Sequence, residues 1–220
     1  MSELADGFQT VFADAFFLVL NKPAGLLSVP GRGEDKQDCL SRRVQLHCPD
    51  ALVVHRLDMA TSGLMLMARG ADMQRALSRL FEHRNIYKRY VAVVAGSMPP
   101  GLPGSDGWRL IDLPIAVDWP NRPLRTIAWE HGKPSQTRWR VVMHDPRSNT
   151  TRVELEPLTG RSHQLRVHLM ALGHPILGDA LYAPAALQAK SGRLLLHACQ
   201  LGFIHPDGGQ PMHFESTPEF

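Results

Sequence analysis

The stretch VVHRLDMATSGLMLMA, which runs from Val53 to Ala68, places a short polar segment between two apolar runs. Short continuous apolar runs are typical of buried strands. We therefore predict two central strands, LVVHRL and GLMLMAR, joined by a tight turn at Thr61, Ser62 and Gly63. A histidine, an arginine and an aspartate would then stand where the two strands meet. This position makes them the first candidates for a functional site.

The rest of the first half predicts a mixture of strands and helices. FFLVLNKPAGLLSVPG indicates a strand, a Pro-Gly turn and a second strand, and DCLSRRVQLHC indicates a short helix capped by Asp38. ADMQRALSRLFEHR has apolar residues at helical spacing, which predicts an amphipathic helix. YKRYVAVVAG predicts a strand, and SMPPGLPGSDGW predicts a loop.

The second half is rich in predicted strands. QTRWRVVMHD and TRVELEPL both alternate between two faces. The residues predicted to share one face are Thr137, Trp139, Val141 and Met143 in the first segment, and Val153 and Leu155 in the second. GRSHQLRVHLMALGHP predicts a helix capped by Ser162 and ended by Gly173, with a stripe formed by Leu165, Leu169 and Leu172. RLLLHACQLGF predicts a late strand. Short adjacent strands with few helices indicate an α+β fold with a mixed, largely antiparallel central sheet flanked by helices and loops.

Length and composition limit the classes to which the protein can belong. The chain has 220 residues, 44% hydrophobic and 20% charged, which indicates a globular protein of one large domain or two small ones. We expect a single catalytic domain over 1–220. Nineteen of the 24 basic residues are Arg, which favours a phosphate-rich partner such as nucleic acid, or equally a genome that prefers Arg codons. Three cysteines without a CxxC pair, and no signal peptide or membrane span, predict a cytoplasmic protein.

Asp58 is the candidate with the clearest chemistry. A carboxylate that follows a buried run must be paired or hydrogen-bonded, and Arg161, in LTGRSH after Gly160, is a good candidate partner. Such a carboxylate stays ionised and can act as a nucleophile or a base. For a lone Asp, a structural salt bridge or a turn cap is the commoner role. Arg56 would leave the same face of an extended segment, either beside an anionic substrate or in a surface ion pair.

Other chemistries have weaker support. His163 and His168 are five residues apart, and no HExxH, CxxC, GxGxxG or phosphate-binding loop occurs, so we predict neither a metal nor a nucleotide cofactor. Ser62 is not in a GxSxG elbow. Tyr90 is either a core aromatic or a stacking platform for a flipped base. DWPNRPLR, with Trp119, Asn121, Arg122 and Arg125, is either a loop that grips RNA or merely a rigid loop.

The HRLD motif, followed after two residues by TSG, resembles the catalytic motif of the RluA-type pseudouridine synthases. Four further segments resemble other motifs of that family and occur in the same order: NKPAGLLSVPG, KRYVAVVAG, TGRSHQLRVHLMALGHPILGD and RLLLHA. Together they span nearly the whole chain. The resemblance implies the pseudouridine synthase fold, with the active-site cleft along the sheet, and the isomerisation of uridine in RNA without cofactor or metal.

The resemblance also implies roles for individual residues. Asp58 matches the catalytic aspartate, Arg161 the arginine that pairs with it, and Tyr90 the tyrosine that packs on the target base. Arg56 matches an arginine implicated in displacing the nucleotide from the RNA stack. The other residues expected to bind substrate are His55, Thr61, Arg122 and Leu195. Whether the aspartate attacks the sugar or the base, or removes a ribose proton, stays open.

The expected substrates are stem-loops. Only about twenty residues precede NKPAG, so we expect no N-terminal accessory RNA-binding domain, and the catalytic domain must recognise RNA itself. The short length and the DWPNRP loop resemble the dual-specificity branch of the family, which modifies 23S ribosomal RNA and the anticodon arm of tRNA. The alternatives are a tRNA-only synthase, a non-catalytic RNA-binding module and a metal-dependent nuclease that uses His163 and His168. We expect a monomer.

Overall fold

The computed structural model describes residues 3–4, 7–101 and 106–220, and side chains from Gly7 onward. The chain forms two compact units. The first unit runs to Lys88 and also includes His197–Glu219, and the second unit is Arg89–Leu196 with Phe220. Part of the loop predicted over SMPPGLPGSDGW lies outside the described residues. No helix in the described ranges is long and apolar enough to span a membrane.

Strands predominate over helices. The strands are β1 (Glu3–Leu4), β2 (Phe8–Ala13), β3 (Phe17–Lys22), β4 (Ala51–Val53), β5 (Ser62–Arg69), β6 (Tyr87–Ala95), β7 (Arg109–Asp112), β8 (Ile115–Val117), β9 (Arg125–Ile127), β10 (Gln136–Asp145), β11 (Thr150–Pro157), β12 (Leu196–Ile204) and β13 (Pro211–Glu215). The α-helices are α1 (Leu40–Gln45), α2 (Gly70–Glu82), α3 (Gln164–Ala171) and α4 (Ala185–Gln188). This combination of many strands and few helices agrees with the predicted α+β class.

The first unit is built on a mixed sheet. Its strands run in the order β1-β2-β3-β5-β12, with β13 paired to β12 and β4 paired to β5. The β5–β12 pair is parallel, with His197 opposite Ser62 and Ala198 opposite Gly63, and its neighbours are antiparallel. Gly63 has a φ of 110°, and a Cβ there would lie 2.3 Å from the Ala198 carbonyl oxygen. Only glycine therefore permits this close strand pairing.

Helix α2 covers one face of that sheet. The predicted amphipathic pattern is confirmed, because Met73 and Leu77 are buried against Phe17, Leu64 and Leu66 of the two central strands. Arginine and glutamate on its other face remain in water. This packing removes large apolar side chains from solvent, each contributing about 1.5–3 kcal/mol. It fixes β5, and thereby the chain segment that leads into it.

The second unit contains an antiparallel sheet and a separate hairpin. The sheet order is β6-β11-β10-β7, and β8 pairs with β9. Val153 and Leu155 of β11 are buried as the alternation predicts, whereas Glu154 and Glu156 on the opposite face bind Arg89, Arg138 and Arg140. The predicted strands over YKRYVAVVAG, QTRWRVVMHD and TRVELEPL are confirmed.

Several predicted boundaries were wrong around the opening motif. The strand predicted over LVVHRL ends at Val53, and the turn lies at Asp58–Thr61, where the Thr61 N–H donates to the Asp58 carbonyl at 3.1 Å. Ser62 and Gly63 already belong to β5. The predicted second strand after NKPAG is also absent from the described residues, apart from one bridge between Leu27 and Cys39. These two segments are joined by long-range side-chain and backbone hydrogen bonds, which periodicity does not reveal.

Two predicted helix caps and one strand face were also wrong. Cys39, not Asp38, is the N-cap of α1, because the Asp38 carboxylate instead binds Arg43, which lowers the pKa of that carboxyl. His163, in the left-handed conformation, stands where a Ser162 cap was predicted. A bulge between Val141 and Met143 breaks the alternation of β10 and leaves Met143 exposed. Leu172 is likewise exposed rather than part of the α3 stripe.

Candidate active site

The predicted site residues fall into two groups, one in each unit. His55, Arg56, Asp58 and Thr61 lie in the first unit, on the segment between β4 and the start of β5. The second unit carries the others: Tyr90, Arg122, Arg161 and Leu195. In the first group Arg56 is exposed, Asp58 is half-buried and Thr61 is buried.

Ser28 holds the residue that precedes Asp58. The Ser28 hydroxyl donates to the Leu57 carbonyl at 2.7 Å and accepts the Leu57 N–H at 3.1 Å. Both Ser28 and Leu57 are buried, so these bonds are made away from water. One hydroxyl thus satisfies both backbone groups of an irregular segment that has no strand partner among the described residues. The bonds fix the peptide plane from which the Asp58 side chain departs.

Lys22 and Gly25 hold the residue that follows Asp58. The Lys22 ammonium is fully buried and donates to three carbonyls, those of Pro23 at 2.8 Å, Leu26 at 2.7 Å and Met59 at 3.1 Å. The Gly25 N–H donates to the same Met59 carbonyl at 2.8 Å. The NKPAGLLS segment therefore positions the backbone on both sides of Asp58.

His55 is bonded within the first unit. Its Nε2 accepts the Leu66 N–H at 2.9 Å, and its ring stacks on Phe81 with centroids 4.4 Å apart. Burial and, to a smaller extent, the Lys88 ammonium lower the pKa of His55 to about 3. The ring is therefore neutral at neutral pH, and the proton sits on Nδ1. These contacts tie the HRLD segment to β5 and α2, while the substrate-binding role of His55 stays a prediction.

A second histidine supports the start of β5. The Ser62 hydroxyl lies 2.8 Å from His197 Nδ1, and His197 Nε2 lies 3.0 Å from the Ser216 hydroxyl. Ser62 and His197 are both buried. The sequence does not reveal this network, because its three members are far apart along the chain. The RLLLHA motif was the available signal, since a buried strand rarely carries a histidine without a partner.

In the second unit Gln164 organises the loop that carries Arg161. The Gln164 side-chain oxygen accepts the Arg161 N–H at 3.0 Å and the Thr159 hydroxyl at 2.7 Å. Its amide nitrogen donates to the Gln136 carbonyl at 2.9 Å and to Thr137 Oγ1 at 3.0 Å. Gln164 is itself buried. Arg161 is exposed, on a loop whose backbone is fixed by a side chain that the sequence did not single out.

Tyr90, Leu195 and Arg122 have distinct settings in the second unit. Tyr90 is half-buried in β6, opposite Leu155 of β11. The Leu195 carbonyl accepts the Val93 N–H at 3.1 Å, so its backbone belongs to this sheet region. The Arg122 guanidinium lies 3.6 Å from the centre of the Trp119 ring. Arg122 and Trp119 therefore form one exposed cation–π pair.

A groove of about 410 Å³ lies in the second unit, beside the β8–β9 hairpin. Its lining residues are Ile115, Ala116, Val117, Trp119, Arg125, His131, Lys133, Gly160, Arg161 and Ser162. Among these described residues there is no aspartate or glutamate. Arg125, Lys133 and Arg161 give this surface a positive charge, which favours an anionic ligand.

The geometry around His163 and His168 does not match a metal pair. His163 Nδ1 lies 2.7 Å from the Tyr182 hydroxyl. His168 is buried between Thr137 Oγ1 at 2.9 Å and the Leu113 carbonyl at 3.0 Å. Burial lowers the pKa of His168, so its ring is neutral. Within residues 7–101 and 106–220, no three His, Cys, Asp or Glu side chains group together in a way that could hold a metal ion.

The sequence profile of the RNA pseudouridylate synthase family matches residues 16–171, so this chain belongs to that family of enzymes, which isomerise uridine in RNA. Among its relatives is a protein of Yersinia pestis named dual-specificity RNA pseudouridine synthase RluA. The two are 49% identical over 210 residues, covering 96% of this chain and 98% of the relative. A protein of the same name from Escherichia coli (strain K12) is 49% identical over 96% of this chain and 93% of its own length.

Solved structures give the same fold. Human RNA pseudouridylate synthase domain containing 1 superposes with a TM-score of 0.79 at 27% identity, covering 100% of this chain and 87% of that one. Human RNA pseudouridylate synthase domain containing 4 gives a TM-score of 0.72 at 25% identity, covering 95% and 88%. The resemblance inferred from the HRLD motif and the α+β pseudouridine synthase fold are both confirmed.

Proposed function

We propose that this enzyme has dual specificity and forms pseudouridine in stem-loops of both 23S ribosomal RNA and the tRNA anticodon arm. The observation that carries the proposal is the 49% identity, over 96% of the chain, to relatives named dual-specificity synthases. The basic groove and the Arg-rich composition support an RNA substrate. A synthase that acts on tRNA alone is the alternative within the family.

Asp58 is proposed as the catalytic carboxylate. Its support is positional: Leu57 is fixed by Ser28, Met59 is fixed by Lys22 and Gly25, and the Asp58 carbonyl closes a turn with Thr61. A rigidly held carboxylate loses little freedom when the substrate arrives, which is what electrostatic catalysis requires. A turn cap alone would not require anchors on both neighbouring residues.

The reaction is balanced without any added reagent. The bond between uracil N1 and ribose C1′ breaks, and a new bond forms between C5 and C1′. The proton on C5 is then lost, and N1 gains a proton. Positive charge develops on the sugar as the first bond breaks, and a nearby carboxylate stabilises it. Because uracil is both leaving group and incoming group, the proposal requires neither a metal nor a cofactor.

Other residues receive proposed roles from their family motifs. Tyr90 would pack on the target base, and Arg161 would act with the catalytic carboxylate. Arg56 is exposed beside Asp58 on the same segment, which suits a side chain that replaces a flipped nucleotide in the RNA stack. The other proposed substrate-binding residues are His55, Thr61, Arg122 and Leu195.

The compartment and the oligomeric state are also proposed. Cys39, Cys48 and Cys199 are not joined in disulfide bonds, which supports a reducing compartment such as the cytoplasm. A monomer acting without a protein partner is the simplest arrangement for an enzyme of this size, and light scattering of the purified protein with and without RNA would test it.

Tritium release tests the proposed reaction. RNA labelled at uracil C5 must lose the label when the new C5 bond forms. A ribosomal stem-loop and a tRNA anticodon stem-loop, assayed separately in the presence of a chelator, should both release tritium and remain intact on a gel. Release from one substrate alone would overturn the dual specificity. RNA that is cleaved without tritium release, and only when the chelator is omitted, would favour a metal-dependent nuclease instead.

A further inference from the structure

We propose that the groove beside the β8–β9 hairpin is a binding site for one single-stranded RNA segment next to the target uridine. Arg125 and Lys133 would contact its phosphates, and Trp119 would stack on one of its bases. This inference rests on the proposed function and adds a site where the RNA strand outside the reacting nucleotide is held.

The charge of the groove is the first argument. Arg125, His131, Lys133 and Arg161 line it, and no carboxylate of the described chain does. The nearest acidic residue along the hairpin, Asp118, binds the backbone N–H and side-chain amide of Asn121 at 3.1–3.3 Å. Lys133 is exposed. A strand that presents a phosphate at each nucleotide suits such a row of cations.

An exposed aromatic ring at the groove is the second argument. Trp119 keeps 67% of its surface exposed although Arg122 lies over its ring. A large apolar ring in water is unfavourable unless it meets a partner, and every nucleobase offers a flat face. An aromatic ring among cations distinguishes a nucleic-acid strand from a simple anion.

The loop that carries Trp119 is closed by its own backbone hydrogen bonds before any RNA arrives. The Asp118 N–H donates to the Leu124 carbonyl at 3.1 Å, and the Leu124 N–H donates to the Asn121 carbonyl at 2.9 Å. A preformed site loses less conformational entropy on binding. The ring of Trp119 is thus carried on a closed loop.

Tyr182 connects two of the chain segments that line the groove or adjoin it. Its hydroxyl accepts the Arg125 N–H at 2.9 Å and lies 2.7 Å from His163 Nδ1. His163 is two residues from Arg161 and directly follows Ser162, the last residue of the lining segment 160–162. Lys133 is joined to β8 by a pair of backbone bonds with Ile115, at 2.8 and 3.0 Å. The cations therefore sit on segments bonded to one another within the second unit.

The test compares matched variants in equilibrium binding to a tRNA anticodon stem-loop by fluorescence anisotropy. Trp119→Ala should weaken binding about five-fold or more. Trp129→Ala should leave it unchanged, since Trp129 is 73% exposed but does not line the groove. Lys133→Ala should lower the slope of log affinity against log salt by about 0.7, and Lys190→Ala should not. Unchanged melting curves would confirm that the variants fold.

An RNA with one base removed beside the target uridine completes the test. At one of the positions that flank the target uridine, removing the base should weaken binding to the wild type. The same removal should cause no further loss of affinity in Trp119→Ala. Additive losses at every flanking position, equal effects of Trp119→Ala and Trp129→Ala, or an unchanged salt slope in Lys133→Ala would overturn the proposal. Tritium release by the wild type is scored separately, so a failure of the proposed reaction is distinguishable from a failure of the groove.

Discussion

The Ser28 hydroxyl bonds to both backbone groups of Leu57, the residue immediately before Asp58. The segment GLLS is about thirty residues earlier in the chain, so the anchor of the proposed catalytic loop comes from a different motif. This relationship explains why NKPAGLLSVPG and HRLD belong together: one segment supplies the carboxylate, and the other supplies the hydrogen bonds that hold its backbone.

Ser28→Ala should cost about 1–3 kcal/mol of unfolding free energy, because the Leu57 N–H and carbonyl are left buried and unsatisfied. It should also lower kcat about ten-fold or more with little change in KM, since the carboxylate is less well positioned. Ser41→Ala is the control, because Ser41 is buried in the same unit but does not bond to the Asp58 segment. Equal kinetic losses in both variants would contradict a positioning role.

Gly63→Ala should destabilise the protein by about 2–5 kcal/mol, measured by urea unfolding. The added Cβ would overlap the Ala198 backbone, and the positive φ adds strain. Gly25→Ala is a matched control, because Gly25 also has a positive φ but has open space within 4 Å of the position that a Cβ would take. It should cost only about 1–2 kcal/mol. Similar losses of stability in the two variants would mean that the cost comes from backbone strain and not from the close contact between β5 and β12.

The low pKa of His55 predicts an acid-dependent loss of stability. The ordinary value is 6.5 and the folded value about 3, so the unfolded chain binds the extra proton between these limits. Stability contributed by neutral His55 is therefore complete above pH 6.5 and falls as pH drops toward 3, at up to about 1.4 kcal/mol per unit. His55→Gln should flatten this slope, whereas exposed His83→Asn should not. If the unfolding free energies of the wild type and His55→Gln fell in parallel as the pH was lowered, the low pKa of His55 would be refuted.

Tyr90 and Arg122 are expected to affect different kinetic constants. Tyr90→Phe should lower kcat more than Arg122→Ala does while RNA affinity is kept, because the proposed role of Tyr90 is beside the reacting base. Arg122→Ala should act mainly through KM, since Arg122 packs on Trp119 at the groove. Single-turnover assays and anisotropy separate the two effects. A larger affinity loss for Tyr90→Phe would count against its position at the base.

The regular elements could be predicted from the sequence because their side chains obey one period. The α2 stripe of Met73 and Leu77 and the alternation of Val153 and Leu155 are examples. The irregular connections could not be predicted, because individual side-chain hydrogen bonds that follow no period determine them. Ser28 takes the place of a strand partner for Leu57, and Arg43 takes the carboxylate that would have capped α1.

Some residues of the candidate site could likewise be predicted from the sequence, and others could not. Asp58 could be nominated as the candidate carboxylate because its motif is long and specific, and the residues of that motif are consecutive. The residues that support this motif could not be identified from the sequence. Lys22 and Ser28 bond to backbone carbonyls of the motif, and His197 bonds to the Ser62 hydroxyl, each from a distant part of the chain. Gln164 resembles an ordinary helix residue in the sequence, and only the fold shows that it holds the Arg161 loop.

The measurement that tests the central claim most directly is tritium release by Asp58→Asn from a stem-loop that the wild type modifies. Asparagine keeps the size of the side chain but removes its charge. We predict that release falls below detection while stem-loop affinity and the melting curve are preserved, and that Asp72→Asn, on the exposed face of α2, retains wild-type release. Release by Asp58→Asn near the wild-type rate would contradict the assignment of Asp58 as the catalytic carboxylate.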